Sequence, residues 1–309
     1  MNISAVIVSY NSEKFLEGNL HSLFGQTVPF QQVIVVDNAS RDGSRAAMDP
    51  FPALEKVLLP ENIGYAAAAN LGIERAASDL VLVANADILL DAEFNRHVLE
   101  FFAMHPQAAL LSPLILRFDR ETIDSAGQEC SLALYPRESG YGRPLAGAAL
   151  GEREVFSVCG AATVFSRRAL ETLKIDGEYY DNDFFMFWED FDIGWRARLL
   201  GLKAFFTPRP VAYHFRSATL APSRWSRLSL ALARPAPLRF HLLKNRYLTL
   251  IKNYRFRRLW WTLPLVLARD LLWAGALTIR SPKTIIAVVR SRADFRRAWK
   301  KRKWIKDHE

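Results

Sequence analysis

Short apolar runs alternate with amphipathic stretches along residues 1–90. The runs at residues 3–8, 33–36, 57–59 and 80–84 have the length and composition of buried strands. Apolar positions recur at helical spacing over residues 15–24, after a plausible N-cap at Ser12, and an Ala-rich helix is predicted over 64–77. Strands and helices that alternate at this pace predict βαβ units and a parallel sheet with right-handed crossovers.

The pattern changes twice further along the chain. We predict a helix up to about Met104, a β-rich stretch over 108–135, a Gly-, Pro- and Arg-rich loop over 136–154 that is substrate-facing or mobile, a strand over 155–165 and a helix over 189–200. Beyond about Pro222 long helical patterns carry dense Arg, Lys and Trp. The chain is therefore predicted to comprise an α/β body, residues 1–220, and a basic amphipathic helical region, residues 221–309.

The distribution of charge and the number of cysteines indicate which partners and which cellular compartment to expect. The net charge is +9, yet residues 241–309 alone hold 18 Lys/Arg and 4 Asp/Glu, so the body is mildly acidic and the tail basic. Cys130 and Cys159 are the only cysteines, which favours a reducing compartment over a disulfide framework. The N-terminal residues lack the basic segment of a signal sequence, so we expect a cytoplasmic protein.

Two residues at predicted strand ends are suited to a nucleoside. Asp37 closes the second strand, where its carboxylate can accept hydrogen bonds from a pyrimidine N–H or a ribose hydroxyl. An Asx turn is the alternative, because Asp-Asn-Ala-Ser is also good turn chemistry. Tyr10, at the end of the first strand, can stack on a base or pack at the rim.

A further strand end is suited to a metal-bound diphosphate. Asn85-Ala86-Asp87 follows the strand over 80–84, and Mg²⁺ or Mn²⁺ takes a carboxylate together with phosphate oxygens. His214 follows a short apolar strand and supplies a nitrogen donor that can join Asp87 on Mn²⁺. Single histidines are usually structural, so spacing alone does not carry that assignment.

The helix predicted from Glu189 begins with several carboxylates. The helix macrodipole stabilises carboxylates in a first turn, so Trp188-Glu189-Asp190 can be a structural cap. The same dipole keeps a carboxylate ionised and able to act as a general base toward a hydroxyl. Asp192 and Arg196 are four residues apart, and we predict a surface pair worth about 0.3–0.5 kcal/mol.

Taken together, these residues resemble the family-2 glycosyltransferases of the GT-A fold, and they look closest to the bacterial rhamnosyltransferase-like branch. The resemblance covers roughly residues 1–220. The matching positions occur in order and are Val8-Ser9-Tyr10-Asn11, Asp37-Asn38-Ala39-Ser40, Asn62-x-Gly64, Asn70-x-Gly72, Asn85-x-Asp87, Gly160-Ala161, Glu189-Asp190 and His214.

The resemblance implies a Rossmann-like α/β fold, with a mostly parallel sheet flanked by helices; the composition of the C-terminal helices predicts that they form a membrane-surface appendage. It implies inverting transfer of a sugar, best matched to rhamnose from dTDP-rhamnose, to a hydroxyl of a lipid-linked saccharide in cell-envelope polysaccharide synthesis. Asp190 is then the general base, Asp87 and His214 address Mg²⁺ or Mn²⁺, and Trp188 and Glu189 face the acceptor. The implied donor-binding residues are Ser9, Tyr10, Asn11, Asp37, Asn62, Gly64, Asn85 and Asp87.

Two positions depart from the family pattern. Asn85 stands where the family's Asp-x-Asp metal motif has its first carboxylate, which weakens the expectation of tight metal binding. The Gln-x-x-Arg-Trp signature of processive synthases is absent, since the corresponding region reads GWRARLLG. We therefore expect the addition of one or a few sugars rather than a long homopolymer.

The tail contains a stretch of nearly membrane-spanning length, residues 259–279. Arg269 and Asp270 stand at its centre, and each costs about 2.5–3.5 kcal/mol in mid-membrane, so spanning is disfavoured. A helix in the headgroup plane on the inner face of the cell membrane suits this composition better, since each Lys or Arg near an anionic leaflet contributes about 1 kcal/mol. The alternative is a set of ordinary helices that pack on the body.

Other function classes fit the sequence less well. A sugar nucleotidyltransferase needs a Gly-rich basic loop after the first strand, and VSYNSEKF has neither feature. No nucleic-acid-binding motif accompanies the basic charge, so nucleic acid is not an expected partner. A UDP-sugar-dependent enzyme of the same family and a non-catalytic membrane-associated protein on a degenerate scaffold remain as alternatives.

Overall fold

A computed structural model describes residues 1–216 and 234–309. The strands are β1 (Ile3–Ser9), β2 (Gln32–Asp37), β3 (Glu55–Leu58), β4 (Leu80–Asn85), β5 (Ile88–Leu90), β6 (Ala108–Arg117), β7 (Ile123–Ser125), β8 (Gln128–Cys130), β9 (Pro136–Glu138), β10 (Arg153–Val155), β11 (Ala162–Ser166) and β12 (Lys203–His214). The helices are α1 (Glu13–Phe24), α2 (Tyr65–Arg75), α3 (Phe94–Met104), α4 (Arg167–Leu173), α5 (Glu189–Leu199), α6 (Ala236–Asn253), α7 (Phe256–Leu259), α8 (Leu263–Arg280), α9 (Pro282–Arg290) and α10 (Arg292–Asp307). The expected boundary at residue 220 lies outside the described residues.

The main sheet is mixed. Its strand order is β10-β12-β6-β11-β4-β1-β2-β3, and β1 to β4 run parallel to their neighbours within that group. The parallel βαβ units predicted from the first part of the chain are confirmed. β11 runs antiparallel to β4 and to β6, so the sheet is less uniformly parallel than predicted.

The register of β1 brings three strand ends to one edge of the sheet. Ser9 pairs with Asp37 of β2, and Val8 pairs with Asn85 of β4. Because all three strands are parallel, the polar residues that follow them meet at their carboxyl ends, where α/β sheets bind ligands. The fold thus gathers residues that lie far apart in the sequence.

Each face of the sheet has its own apolar core. Along β1, Ile3, Ala5 and Ile7 face α1 and α3, while Val6 and Val8 face α2, α4 and α5. Successive side chains of a strand point to opposite faces, so a strand covered on both sides is apolar throughout. This explains why the predicted strands read as continuous apolar runs.

The segment after β6 differs from its prediction. The strand expected over 155–165 begins only at Ala162, and the expected loop over 136–154 contains β9 and β10. β8 and β9 form a separate two-stranded sheet. Strands of three residues are too short to show an alternating pattern, so the sequence does not reveal them.

Buried lysines join the C-terminal helices to the body. Lys252 of α6 places its Nζ 2.5 Å from Asp181 Oδ2 and 2.9 Å from Asp192 Oδ2. Lys301 of α10 contacts Asp181 Oδ1 at 2.6 Å. Burial alone would raise the pKa of Asp181, but the two ammonium groups hold it well below its usual range.

The predicted surface pair of Asp192 and Arg196 is wrong. Both side chains are buried, and Asp192 binds Lys252 and Asn253 instead. Arg196 donates to the carbonyl oxygens of Leu173 and Tyr179 at 2.8 and 2.6 Å. The four-residue spacing predicted a helix face correctly, but tertiary packing covers that face.

Candidate active site

A cavity of about 640 Å³ opens where β1, β2 and β4 end. Nine of the predicted site residues line it, namely Tyr10, Asn62, Gly64, Asn85, Asp87, Trp188, Glu189, Asp190 and His214. The predicted residues Ser9, Asn11 and Asp37 lie outside its lining. The cavity wall also includes α6, through Pro237, Leu238 and His241, which the sequence did not indicate.

Asp37 lies fully buried at the base of the loop that follows β2. Its Oδ1 accepts hydrogen bonds from the backbone N–H of Ser40 at 3.2 Å and from Nε of Arg45 at 2.6 Å. Its Oδ2 is buried and has no hydrogen-bond partner within residues 1–216 and 234–309. Since an unpaired buried oxygen is costly, this carboxylate has one position left for an incoming donor.

Ser9 and Asn11 shape the loop after β1. Ser9 is fully buried, and the backbone N–H of Asn11 donates to Ser40 Oγ at 2.9 Å. Asn11 Oδ1 in turn accepts from the backbone N–H of Arg41 at 2.9 Å. These bonds tie the loops after β1 and β2 together beside Tyr10, whose side chain is 48% exposed at the cavity.

Two asparagines shape the floor of the cavity between β2 and α2. Asn38 Nδ2 donates to Asn62 Oδ1 at 3.0 Å, and Asn38 Oδ1 accepts from the backbone N–H of Ile63 at 2.9 Å. Asn62 Oδ1 also accepts from the backbone N–H of Gly64. Asn38, which belongs to the motif after β2, lines the cavity beside the buried Asp37 and is a further candidate site residue.

Gly64 is required by the close approach of Phe185. Its φ is +88°, and a Cβ at this position would lie 2.6 Å from Cδ2 of Phe185. The carbonyl oxygen of Phe185 accepts from the backbone N–H of Ala66 at 3.3 Å. The start of α2 is therefore packed directly against the segment that leads into α5.

That segment has an unusual backbone. Phe185, Phe187 and Trp188 have φ values of 62°, 67° and 75°, in the left-handed region that bulky residues rarely adopt. Such conformations are stored at functional sites and held by surrounding contacts. Here the ring of His241 from α6 stacks on Phe185 at 5.0 Å, and Tyr135 packs edge-on against Trp188 at 4.9 Å.

His214 lies between two carboxylates. Its Nε2 is 3.4 Å from Asp87 Oδ1 and its Nδ1 is 2.8 Å from Asp124 Oδ2. Burial lowers the pKa of His214, but the hydrogen bonds to Asp124 and Asp87 outweigh that effect and raise it to about 8. Asp124 also binds Nε of Arg216, so this wall of the cavity carries alternating charges.

The side chains here fit a divalent cation shared with a substrate. Asp87 offers a carboxylate, His214 can offer Nε2 once a cation displaces its proton, and Asp124 orients the ring from its other nitrogen, as carboxylates do at metal-bound histidines. No set of three or more His, Cys, Asp or Glu side chains placed to hold a metal occurs in the described ranges. Mg²⁺ and Mn²⁺ sites of this kind rely on phosphate oxygens for further ligands.

Asp190, in the first turn of α5, is held by three hydrogen-bond donors. Its Oδ2 accepts from the backbone N–H of Gly160 at 3.0 Å and from Gln128 Nε2 at 2.8 Å, and its Oδ1 accepts from the backbone N–H of Phe191 at 2.8 Å. Burial raises the pKa of Asp190, and these bonds partly offset the rise. The carboxylate is oriented at the cavity wall and is more basic than an exposed aspartate.

Two further carboxyl groups lie near Asp190, of which Glu189 is buried and Glu138 is half-buried. Burial, together with the charge of Asp190, raises the pKa of Glu189 to about 8. Gln128, which donates to Asp190, also donates from Nε2 to Oε1 of Glu138 in β9 at 2.8 Å. Burial raises the pKa of Glu138 to about 7. Asp190 accepts hydrogen bonds from three N–H groups, and such donors stabilise an ionised carboxylate, so we expect Asp190 to be the ionised member of the group.

The sequence missed Asp124, Gln128, Glu138 and His241. Asp124, Gln128 and Glu138 are single polar residues outside any motif, and His241 lies in a predicted helical stretch that carries no site signal. Each reaches the site through contacts distant in sequence. Gln128 and Asp190, for example, are 62 residues apart. The only available signal was that three of them fall in the irregular region between β6 and β11.

A comparison with protein families identifies a match to a family model. The model described as Glycosyl transferase family 2 matches residues 4–174, which is more than half of the chain. The poly-beta-1,6-N-acetyl-D-glucosamine synthase of Staphylococcus epidermidis is 24% identical over 214 residues, covering 68% of this chain and 49% of that protein. The chain thus spans about half the length of the curated relatives it matches.

Solved structures match over nearly the whole chain. TarS 1-349 of S. aureus in complex with UDP-GlcNAc has a TM-score of 0.58 and 18% identity, covering 96% of this chain and 81% of that one. The mannosyltransferase PcManGT of Pyrobaculum calidifontis in complex with GDP-Man and Mn²⁺ has a TM-score of 0.56 and 18% identity, covering 98% and 84%. At these identities the likeness shows the fold, and the GT-A architecture expected from the sequence is confirmed.

Proposed function

The chain belongs to glycosyltransferase family 2, and from this we propose that it transfers a sugar, with inversion, from a nucleoside diphosphate to a hydroxyl of a lipid-linked saccharide. The observation that carries the proposal is Asp190, a buried carboxylate oriented by three donors in the wall of the same cavity as Asp87 and His214. The product would belong to a cell-envelope polysaccharide, assembled on the cytoplasmic face of the membrane.

Asp190 acts as the general base in this proposal. The acceptor oxygen forms a bond to the anomeric carbon while the bond from that carbon to the diphosphate oxygen breaks, and the hydroxyl proton passes to Asp190. A raised pKa brings the carboxylate closer to the ideal for a base at neutral pH. Burial and the charge of Asp190 raise the pKa of Glu189, which favours the neutral form of Glu189 beside the base.

Asp87 and His214 would hold the divalent cation. When bound, Mg²⁺ or Mn²⁺ neutralises charge that develops on the departing diphosphate. The guanidinium of Arg216 lines the same wall and adds positive charge there. Asn85 lines the cavity beside Asp87 but contributes an amide in place of a second carboxylate, which favours a cation shared with the substrate.

The nucleoside would occupy the side of the cavity near Tyr10. Tyr10 can stack on the base, and Asn62 and Gly64 line the neighbouring wall. Asp37 Oδ2, buried and without a partner among the described side chains, can take a hydrogen bond from the nucleoside if the loop after β2 shifts. Trp188 and Glu189 would face the acceptor.

The donor we propose first is dTDP-rhamnose, on the resemblance of the ordered strand-end motifs. UDP-N-acetylglucosamine is the second candidate, because TarS, which shares the fold, was solved with that nucleotide sugar. We propose the addition of one or a few sugars. The Gln-x-x-Arg-Trp signature of processive synthases is absent from the corresponding region, residues 194–201, which reads GWRARLLG.

The test is release of nucleoside diphosphate by the purified protein with each donor, with Mn²⁺, Mg²⁺ or EDTA. We expect one donor to give turnover that falls on chelation. Asp190→Asn should lower kcat by about 10²- to 10⁴-fold and retain donor binding, measured as a ligand-induced shift in Tm.

Asp183→Asn is the control, because Asp183 is also acidic but binds Arg297 outside the cavity. Donor binding without turnover by the wild-type protein would instead identify a non-catalytic scaffold. Unchanged turnover in Asp190→Asn would remove Asp190 from the mechanism.

A further inference from the structure

Helix α8 presents its apolar side to the outside and its charged side to the protein, the opposite of a helix on a water-exposed surface. Its charged pair faces the protein, while its outer side carries no charged residue between the two ends of the helix. Five large apolar side chains point outward and are 46%, 51%, 72%, 71% and 88% exposed, namely Leu265, Leu267, Leu271, Leu272 and Ile279. Soluble proteins rarely expose a contiguous apolar face of this kind without a partner for it.

Specific contacts hold the charged pair inward. Asp270 Oδ1 accepts from Arg246 Nε of α6 at 2.7 Å, and Asp270 is largely buried. The guanidinium of Arg269 lies 4.1 Å from the centre of the Tyr135 ring. Trp273 and Leu277, on the same side of α8, pack against α6. The rotation of α8 about its axis is therefore set by the body, and the leucines must face away from it.

Basic residues flank the apolar face. Arg257 and Arg258 precede α8, Arg280 ends it, and Lys283 and Arg290 follow in α9, all exposed. Trp260, at the start of the same region, is 63% exposed. Leucine, tryptophan and flanking arginine are the composition of helices that lie in the plane of a membrane interface.

The stretch Phe256–Arg280 is long and apolar enough to cross a bilayer: an 18-residue window within it has a mean hydropathy of 1.4, and 17% of that window is buried. Crossing would pull Asp270 away from Arg246 and Arg269 from Tyr135, which leaves charges unpaired. A flat position keeps both contacts. We propose that α8 docks the protein on an anionic lipid surface, with the five outward apolar side chains inserted among the headgroups.

The basic residues beside the apolar face of α8 favour an anionic lipid surface over a second copy of this chain as its partner. Two copies joined through this face would bring their basic flanks together, and like charges oppose such contact. An anionic leaflet attracts the same residues, and that attraction weakens as salt screens it. Lipid therefore satisfies both the apolar face and its basic borders.

The docking face is connected to the candidate active site. Arg269 of α8 stacks on Tyr135, and Tyr135 packs against Trp188 in the cavity wall. This inference rests on the proposed function in one respect, because a lipid-linked acceptor would be presented at this surface. Docking itself requires no turnover, so the two can fail separately.

Flotation of the full-length protein with phosphatidylcholine vesicles, with and without phosphatidylglycerol, tests the proposal. We expect binding to the anionic vesicles that weakens at high salt, and about tenfold or more weaker partitioning for Leu271→Glu/Leu272→Glu. Met104→Glu is the matched control, because Met104 is 58% exposed on α3 and should leave binding unchanged.

Far-UV circular dichroism and donor binding without vesicles establish that the variants are folded. Equal vesicle binding by wild type and the double variant would overturn the proposal. The proposal would also be overturned if the wild-type protein formed a dimer that does not bind vesicles and the double variant were monomeric. A second copy of the chain would then cover the apolar face of α8. Vesicle binding without any donor turnover would leave docking supported and the transferase function rejected.

Discussion

At the scale of single residues, the candidate base depends on a neighbour that the sequence gives no reason to notice. Gln128 donates at 2.8 Å to both Asp190 and Glu138, so the two carboxyl groups are linked through one amide. Glu138 also accepts from Ser125 Oγ at 2.5 Å. The protonation of Glu138 therefore bears on both the stability of the fold and the charge near Asp190.

Glu138→Gln should change how stability depends on pH. Because the folded pKa of Glu138 is raised to about 7, its contribution is present below the unfolded value near 4.5 and is lost as pH rises through 7. Between pH 5 and pH 8, the free energy of unfolding of the wild type should fall by on the order of 2 kcal/mol more than that of the variant. Urea unfolding at the two pH values measures this difference.

Glu129→Gln is the control for that experiment, since Glu129 lies on the same hairpin but is exposed. It should follow the wild-type pH dependence. Parallel curves for Glu138→Gln and wild type would show that Glu138 ionises normally in the folded protein.

At the scale of secondary-structure elements, α6 and α10 are bound to the body by charges as well as apolar contacts. Lys252 and Lys301 share Asp181, and Asn245 of α6 donates to the carbonyl oxygens of Phe184, Met186 and Phe187 at 2.7–2.8 Å. These bonds hold the left-handed segment that precedes Asp190. The C-terminal helices thus determine part of the geometry of the candidate active site.

Lys252→Met should destabilise the protein strongly. The substitution leaves Asp181 and Asp192 buried without their shared ammonium, and removing one partner of a buried ion pair costs about 3–5 kcal/mol. Thermal and urea unfolding measure the loss. Lys303→Met is the control, because Lys303 is exposed on α10; it should lower the free energy of unfolding by less than about 0.5 kcal/mol. A similar small loss for both variants would mean that the buried network contributes little.

The sequence predicted elements well where periodicity was long. The predicted elements from β1 to α3, with the unpredicted three-residue β5 as the exception, and the helix α5 are confirmed, because buried strands and amphipathic helices of normal length leave clear apolar spacing. β7 to β10 are too short to do so. The strand-end pattern indicated Asp87, which lines the cavity, and Asp37, which ends β2 but lies outside the cavity lining. No local pattern shows that Arg45 covers Asp37 or that Asp124 lies behind His214.

At the scale of the whole molecule, the body and the C-terminal helices share a core. Phe184, Trp188, Phe191 and Trp195 pack in one cluster with Leu248, Val266 and Ala298. A division of the chain into a catalytic part and a tail would cut through this cluster. The basic composition that distinguishes the tail in sequence therefore does not mark an independent packing unit.

A chain limited to residues 1–216 should not fold into a stable binding unit. It would expose the aromatic side of that cluster and leave Asp181 and Asp192 without Lys252 and Lys301. We expect loss of a cooperative unfolding transition and of donor binding, measured by calorimetry and by ligand-induced shifts in Tm. A truncated chain that melts cooperatively and binds the donor would show that the C-terminal helices are dispensable.

The stacking of His241 on Phe185 has a consequence for protein engineering. An exchange between relatives that replaces only about the first two hundred residues would separate Phe185 from His241, the side chain that stacks on it. Each chimera would combine the segment before α5 from one protein with α6 from another, so the two parts of the cavity wall would not match. Productive exchanges should instead carry the loop that precedes α5 and the N-terminal half of α6 as a single cassette.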